Sequence, residues 1–261
     1  MSRFRFGFPT RLFDLPPREA IARAAALKVD GVEFDFRNEF TAQAISETGR
    51  RQLRHLLKEQ GLELAPAVFP LRRPISDEVG LEERIAALSG TLRFAGELRV
   101  PGLILRPGII PAAETSQRAI LHEVLNDLAR TGDHVGVTPL LATGRQTAQT
   151  LRELLDAVTT GPIGLAWDPA AAVMAGSDVD SIMRELPQSI QQIRLRDGFR
   201  EADGAGVETP VGRGEVDWEQ VLALLAEADY RAWITPDRTG GEDPAGDAAR
   251  AITYVRRLLP F

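Results

Sequence analysis

Chemistry in this chain has to be done by carboxylates and arginines. Of 31 basic residues only Lys28 and Lys58 are lysines, there are three histidines (His55, His122 and His134), and cysteine is absent. Without cysteine there are no disulfides, thiolate nucleophiles or thiolate-held zinc and iron–sulfur sites. The histidines fall on helical stretches or in a helix-to-strand turn, where the plain reading is a solvated side chain. Both lysines sit near helix ends. What stands next to the short apolar runs is different. VEFDF (32–36) leads to Asp35, Arg37, Asn38 and Glu39, and LILR (103–106) ends at Arg106. TPLLAT (138–143) leads to Arg145, and IGLAWD (163–168) ends at Asp168. IQQIRLRD (190–197) carries Gln192, Arg194, Arg196 and Asp197, and RAWITPD (231–237) ends at Asp237 with Arg238 following. Thr10 and Arg11 follow RFRFGF (3–8), Arg72 and Arg73 follow LELAPAVF (62–69), and the loop VGRGEVDW (211–218) adds Arg213.

Such an arginine set has two readings. Planar guanidinium forks recognise carboxylates and phosphates, which points to an anion site for a phosphorylated or carboxylated small molecule. Local ion pairing with Asp35, Glu39 and Asp197 accounts for the same residues, because arginine is favoured along the whole chain. The Gly212-Arg213-Gly214 turn can offer backbone N–H groups to an anion; a plain loop before an Asp217 N-cap explains it equally.

The apolar runs alternate with amphipathic stretches that have helix starts and stops. Pro16-Pro17 opens a helix through Lys28, and Leu53, Leu56 and Leu57 form a stripe ending at Gly61. Leu81, Ile85 and Leu88 mark a third helix. A fourth, with Leu121, Val124, Leu125 and Leu128, ends near Gly132. Thr147, Asp178 and Asp217 stand where N-caps belong, and Ile252, Val255 and Leu258 mark the last helix. Eight strand–helix pairs in 261 residues predict a single-domain α/β chain, residues 1–261, folded as a (β/α)8 TIM barrel, whose usual size is about 250 residues. The first turn, FPTRLFD, lacks the glycine-rich fingerprint of an open dinucleotide-binding sheet. Barrels of this kind carry their chemistry at the C-terminal ends of the strands, where the carboxylates and arginines fall.

Charge and hydropathy narrow the partners. A net charge of −6 argues against nucleic acid, whose phosphates need a basic face. No apolar run reaches the ~20 residues of a membrane span, and the N-terminal segment has no apolar core of a secretory signal, so a cytoplasmic protein is expected. Oligomeric state is left open.

The segments GVEFDFRNE (31–39), LLATGRQTAQTLRELLDAV (140–158), WDPAAAVMAG (167–176), IRLRDG (193–198), VGRGEVDW (211–218) and WITPDRTGG (233–241) together resemble the xylose-isomerase-like TIM barrels, the sugar phosphate isomerase/epimerase superfamily. The resemblance runs over essentially the whole chain and rests on the order and spacing of these segments. It implies a sugar or sugar-phosphate-like substrate and a divalent metal such as Mn or Mg. The metal would be held by a Glu on strand five, an Asp on strand six, a His on strand seven and a Glu on strand eight. The two glutamates would move a proton on and off the carbon beside a carbonyl.

Carried over position by position, the pattern is broken. The strand-five Glu is Ala142, the strand-six Asp is Asp168, the strand-seven His is Arg194 and the strand-eight Glu is Asp237. Alanine has no donor atom, and a guanidinium is never deprotonated. At ~4 Å its charge repels another unit charge by roughly 4 kcal/mol at an effective dielectric near 20, and a divalent ion doubles that. The sequence therefore predicts no bound metal, with Arg194 acting as a buried counter-ion to Asp168 and Asp237. Any remaining catalysis would fall to Asp168 and Asp237. Arg194, Arg196, Asp197, Asp35, Arg37, Arg106, Arg145, Arg213 and Arg238 would bind a small polar or anionic, sugar-like ligand. The alternative is an active isomerase that holds a metal through Asp168, Asp237 and other mouth carboxylates such as Asp35. An endonuclease IV-like role would need a histidine-rich metal cluster that three peripheral histidines cannot build.

Overall fold

In the computed structural model, which describes residues 4–259, each apolar run forms a short strand. These are β1 (Arg5–Pro9), β2 (Gly31–Glu33), β3 (Glu63–Leu64), β4 (Ala67–Val68), β5 (Gly102–Leu105), β6 (Thr138–Ala142), β7 (Gly164–Trp167), β8 (Ile190–Leu195), β9 (Asp197–Arg200), β10 (Gly206–Thr209) and β11 (Trp233–Pro236). The order in the main sheet is β3-β2-β1-β11-β8-β7-β6-β5-β4, all parallel. β3 and β4 are halves of one segment, broken at Ala65-Pro66, where proline has no N–H for the ladder. β3 pairs with β2 and β4 with β5. The Val68 N–H donates to the Phe34 carbonyl at 2.9 Å, so the sheet closes on itself. The result is the predicted (β/α)8 barrel in a single domain. Arg3, at the start of the first predicted strand, lies outside the described residues.

The helices are α1 (Pro17–Ala26), α2 (Glu47–Glu59), α3 (Leu81–Leu98), α4 (Ser116–Val135), α5 (Ala148–Asp156), α6 (Pro169–Ala175), α7 (Ser181–Glu185), α8 (Trp218–Glu227) and α9 (Pro244–Leu258). Thr147 and Asp217 cap α5 and α8 as predicted, accepting from the N–H groups of Thr150 and Gln220. Three local expectations are corrected. α4 runs past Gly132 to Val135, because Gly136, with φ of 72°, is the residue that takes the left-handed turn. Asp178 does not cap α7, which starts after Asp180; the Asp178 carboxylate instead accepts from the Asp180 N–H. The strand expected over 190–197 stops at Leu195, and Asp197 instead opens an antiparallel hairpin of β9 and β10 outside the barrel.

Side chains alternate across each strand. Phe6, Phe8, Val32, Phe34, Leu103, Leu105, Leu165, Trp167 and Ile193 belong to the large core under the helices. Inside the barrel, Ile104, Leu140 and Ala166 form a small apolar cluster with Val68 and Ala142, all from β4 to β7. The other half of the interior, from β8, β11, β1 and β2, is polar. A Cβ on Gly7 would lie 2.8 Å from the Thr235 hydroxyl and 3.0 Å from the Ala65 Cβ, so β1 fits there only without a side chain. Among the described residues no helix is long and apolar enough to cross a membrane.

Candidate functional site

The polar half of the interior holds a closed ring of four charges. Arg194 on β8 places Nη1 2.5 Å from Glu33 Oε2 and Nη2 2.7 Å from Asp237 Oδ2. Arg11, just beyond β1, places Nη1 2.6 Å from Glu33 Oε1 and Nη2 2.7 Å from Asp237 Oδ1. Each arginine thus bridges both carboxylates and each carboxylate takes both arginines, so the ring is neutral. Below it the buried Gln192 donates from Nε2 to Glu33 Oε2 at 2.8 Å. Burial works against ionisation of Asp237, but the Arg194 and Arg11 guanidiniums outweigh it and hold the carboxyl far below the usual carboxylate range. Burial likewise works against the charge on Arg194, and Asp237 and Glu33 more than restore it.

A second chain of ion pairs forms the adjoining wall. Arg196 reaches Asp168 Oδ2 at 2.6 Å and Glu208 Oε1 at 3.0 Å. Glu208, on β10, continues to Arg238 at 3.0 Å, and Arg238 to Asp247 at 3.0 Å. The hairpin outside the barrel is therefore tied to the mouth through Glu208. Asp168 also caps α6, accepting from the Ala171 N–H at 3.0 Å.

Between these walls lies a cavity of about 740 Å³ at the C-terminal mouth. Val68, Phe69, Ile104 and Ala142 line its apolar side; Arg11, Arg194, Arg196, Asp168 and Asp237 line the charged side, with Arg106 also on the wall. Apolar walls with a few convergent polar groups are the usual make-up of a small-molecule site.

Of the predicted site residues, Asp168, Asp237, Arg194, Arg196 and Arg106 meet at this cavity. Arg194 does pair with Asp237, but its second carboxylate is Glu33, because Arg196 occupies Asp168. The remaining residues serve the loops. Asp35 accepts from the N–H groups of Arg37 and Asn38 and from the Asn38 side chain. Arg37 donates to the Pro70 carbonyl at 2.7 Å and covers the Phe69 ring. Asp197 is fully buried and accepts from the N–H groups of Gly198, Gly212 and Val216, so the Gly212 N–H is spent inside the fold. Arg238 belongs to the ion-pair chain, while Arg145 and Arg213 are exposed and outside the cavity lining. Glu33 and Glu208 carried no expectation. Glu33 could have been found from period two: it stands two residues before Asp35 within the run 32–36, and β2 ends at Glu33 itself. Glu208 had no local signal, since its role depends on the hairpin.

The model of the family described as "Xylose isomerase-like TIM barrel" matches residues 21–258. The chain belongs to that family. Inosose dehydratase of Bacillus thuringiensis (strain Al Hakam) is 24% identical over 155 residues, 54% of this chain and 51% of that protein. The chain spans about half the length of the curated relatives it matches. Among solved structures, a xylose isomerase domain protein from Planctomyces limnophilus superposes with a TM-score of 0.84 at 20% identity, covering 97% of this chain and 95% of that one. D-psicose 3-epimerase from Clostridium cellulolyticum H10, solved with D-tagatose, gives 0.78 at 14% identity, covering 99% and 100%. At these identities the structural likeness concerns the fold.

Proposed function

We propose that this xylose-isomerase-like barrel binds a small polar or anionic, sugar-like ligand in its mouth without carrying out the metal-dependent isomerisation the family resemblance implies. The observation that carries this reading is the Arg194 guanidinium, fixed between Glu33 and Asp237 at the position that the resemblance assigns to a ligating histidine. The donor set does not fit a divalent cation. Ala142 and Arg194 offer no ligand atom, and the two carboxylates left at the four positions are engaged, Asp168 by Arg196 and Asp237 by Arg194 and Arg11. A cation would have to displace guanidiniums that already neutralise them, against mutual repulsion.

Proton transfer at the two glutamate positions is disfavoured too. Ala142 supplies no base on one face, and on the other the strongly lowered pKa of Asp237 makes it a weak proton acceptor at neutral pH. The cavity suits a polyol: its apolar wall can take the C–H face of a sugar while hydroxyls meet the charged wall. The names of the relatives support that class, one acting on an inosose and another solved with D-tagatose.

Metal analysis and calorimetry test the reading. The purified protein, incubated with Mn²⁺, Mg²⁺ or Zn²⁺, is expected to retain none stoichiometrically, while a panel of sugars yields a ligand. Tight stoichiometric metal that is lost in Asp168→Ala would replace this reading with a metal-dependent isomerase using Asp168 and Asp237.

A further inference from the structure

Among the described residues, six charged side chains line the mouth cavity: Arg11, Arg106, Asp168, Arg194, Arg196 and Asp237. Five of them are bound to one another or to Glu33 and Glu208 in the ion pairs described above. Arg106 is the exception. It follows β5 directly and, among the described residues, its guanidinium has neither a carboxylate partner nor a hydrogen bond. It is also exposed, so its charge costs little desolvation and is available to a ligand. Arg106 is therefore the one cavity-lining charge, among the described residues, left without a direct ionic partner.

We infer that Arg106 is a specificity-determining residue that selects sugars bearing an anionic group, a carboxylate or a phosphate, by pairing with that group. The inference rests on the mouth being a sugar site. Its placement gives the ligand an orientation. Arg106 and Ile104 belong to the same inward-facing row of the β5 segment, next to the apolar wall of Ile104, Val68 and Ala142. The Asp168–Arg196 and Asp237–Arg194 pairs lie on the charged wall. A ligand spanning the cavity places its anion at Arg106, packs C–H groups on the apolar side and turns its hydroxyls to the paired charges. Those paired groups recognise hydroxyls, not net charge, because each already has its counter-ion. A bidentate guanidinium contact suits both carboxylate and phosphate oxygens.

Calorimetry with three probes tests this: D-glucose, D-gluconate and D-glucose 6-phosphate, with inorganic phosphate alongside. The anionic sugars are expected to bind at least about tenfold more tightly than glucose, the scale of one hydrogen bond to a charged group. Arg106→Gln is expected to erase that preference, and Arg106→Lys to restore part of it. The proportion between gluconate and glucose 6-phosphate separates a carboxylate from a phosphate site. Equal affinity for all three sugars, or a preference that survives in Arg106→Gln, overturns the role of Arg106 while leaving the sugar site standing. Inorganic phosphate binding as tightly as glucose 6-phosphate reduces the site to one for a free anion and overturns it also. If no sugar binds, neutral or anionic, the sugar-site reading fails and this inference with it.

Discussion

Arg194 Nη1 lies 2.5 Å from Glu33 Oε2, joining β8 to β2 although the two strands are not neighbours in the sheet. β11 and β1 stand between them, and the contact crosses the barrel interior. With Arg11 and Asp237 it forms a ring in which every charge has two opposite neighbours. Buried ion pairs of this geometry add little over an apolar core, yet removing one member leaves an uncompensated charge.

Arg194→Met is therefore expected to lower stability by about 3–5 kcal/mol, measured by urea denaturation, because Glu33 and Asp237 are left with Arg11 alone. Adding Glu33→Gln in the same chain removes one stranded carboxylate. The double variant should come out at least about 1 kcal/mol more stable than the sum of the two single losses. Simple additivity would mean that the pair is not coupled.

The acid side of the stability curve depends on Asp237. Its folded pKa is depressed by Arg194 and Arg11, so its contribution is complete above the unfolded carboxylate value of about 3.9 and is lost as pH falls from there toward the folded value. Asp237→Asn should be less stable than the parent at pH 7, with the gap narrowing below about pH 4. Denaturation curves at pH 7, 4 and 3 measure this; a gap that widened in acid would contradict the assignment.

Installing the ligand pattern that the resemblance implies, with Ala142→Glu, Arg194→His and Asp237→Glu, would supply four donors together with Asp168. The folded triple variant is expected to bind Mn²⁺ stoichiometrically by calorimetry, and the parent is expected not to. A well-folded triple variant without metal affinity would show that the positional correspondence is misplaced.

Asp197 is expected to be a structural residue. Asp197→Ala strips the acceptor from three backbone N–H groups, and at roughly 1–3 kcal/mol for each donor left buried and unpaired, a loss of at least about 3 kcal/mol is expected. Gly214→Ala should also destabilise, since an added Cβ would collide with the Asp197 carboxylate and the Gly198 backbone. Both are read as shifts in the urea midpoint, and ligand affinity of the folded fraction should hold.

How far the site could be read from the sequence differed by residue. Asp168, Asp237, Arg194, Arg196 and Arg106 were found because barrel chemistry sits at strand ends and strand ends are marked by local patterns. Asp35 and Asp197 satisfied the same rule but spend their carboxylates on backbone N–H groups, Asp35 in its own loop and Asp197 largely in the 211–218 loop. Glu33 escaped because the apolar run was read on to Phe36, whereas the strand ends at Glu33. Glu208 escaped because residues 197–209 carry no period long enough to announce a hairpin.

By itself the sequence determined the (β/α)8 barrel and the carboxylates and arginines that stand at its strand ends. These follow from strand and helix periodicities and from residue type, which are local. Only the tertiary structure decided which carboxylate each arginine takes. Glu33 is 161 positions from Arg194 and Asp237 is 226 from Arg11. Barrel closure, not sequence spacing, brings them within bonding distance, and it leaves Arg106 as the one cavity-lining charge, among the described residues, without a partner.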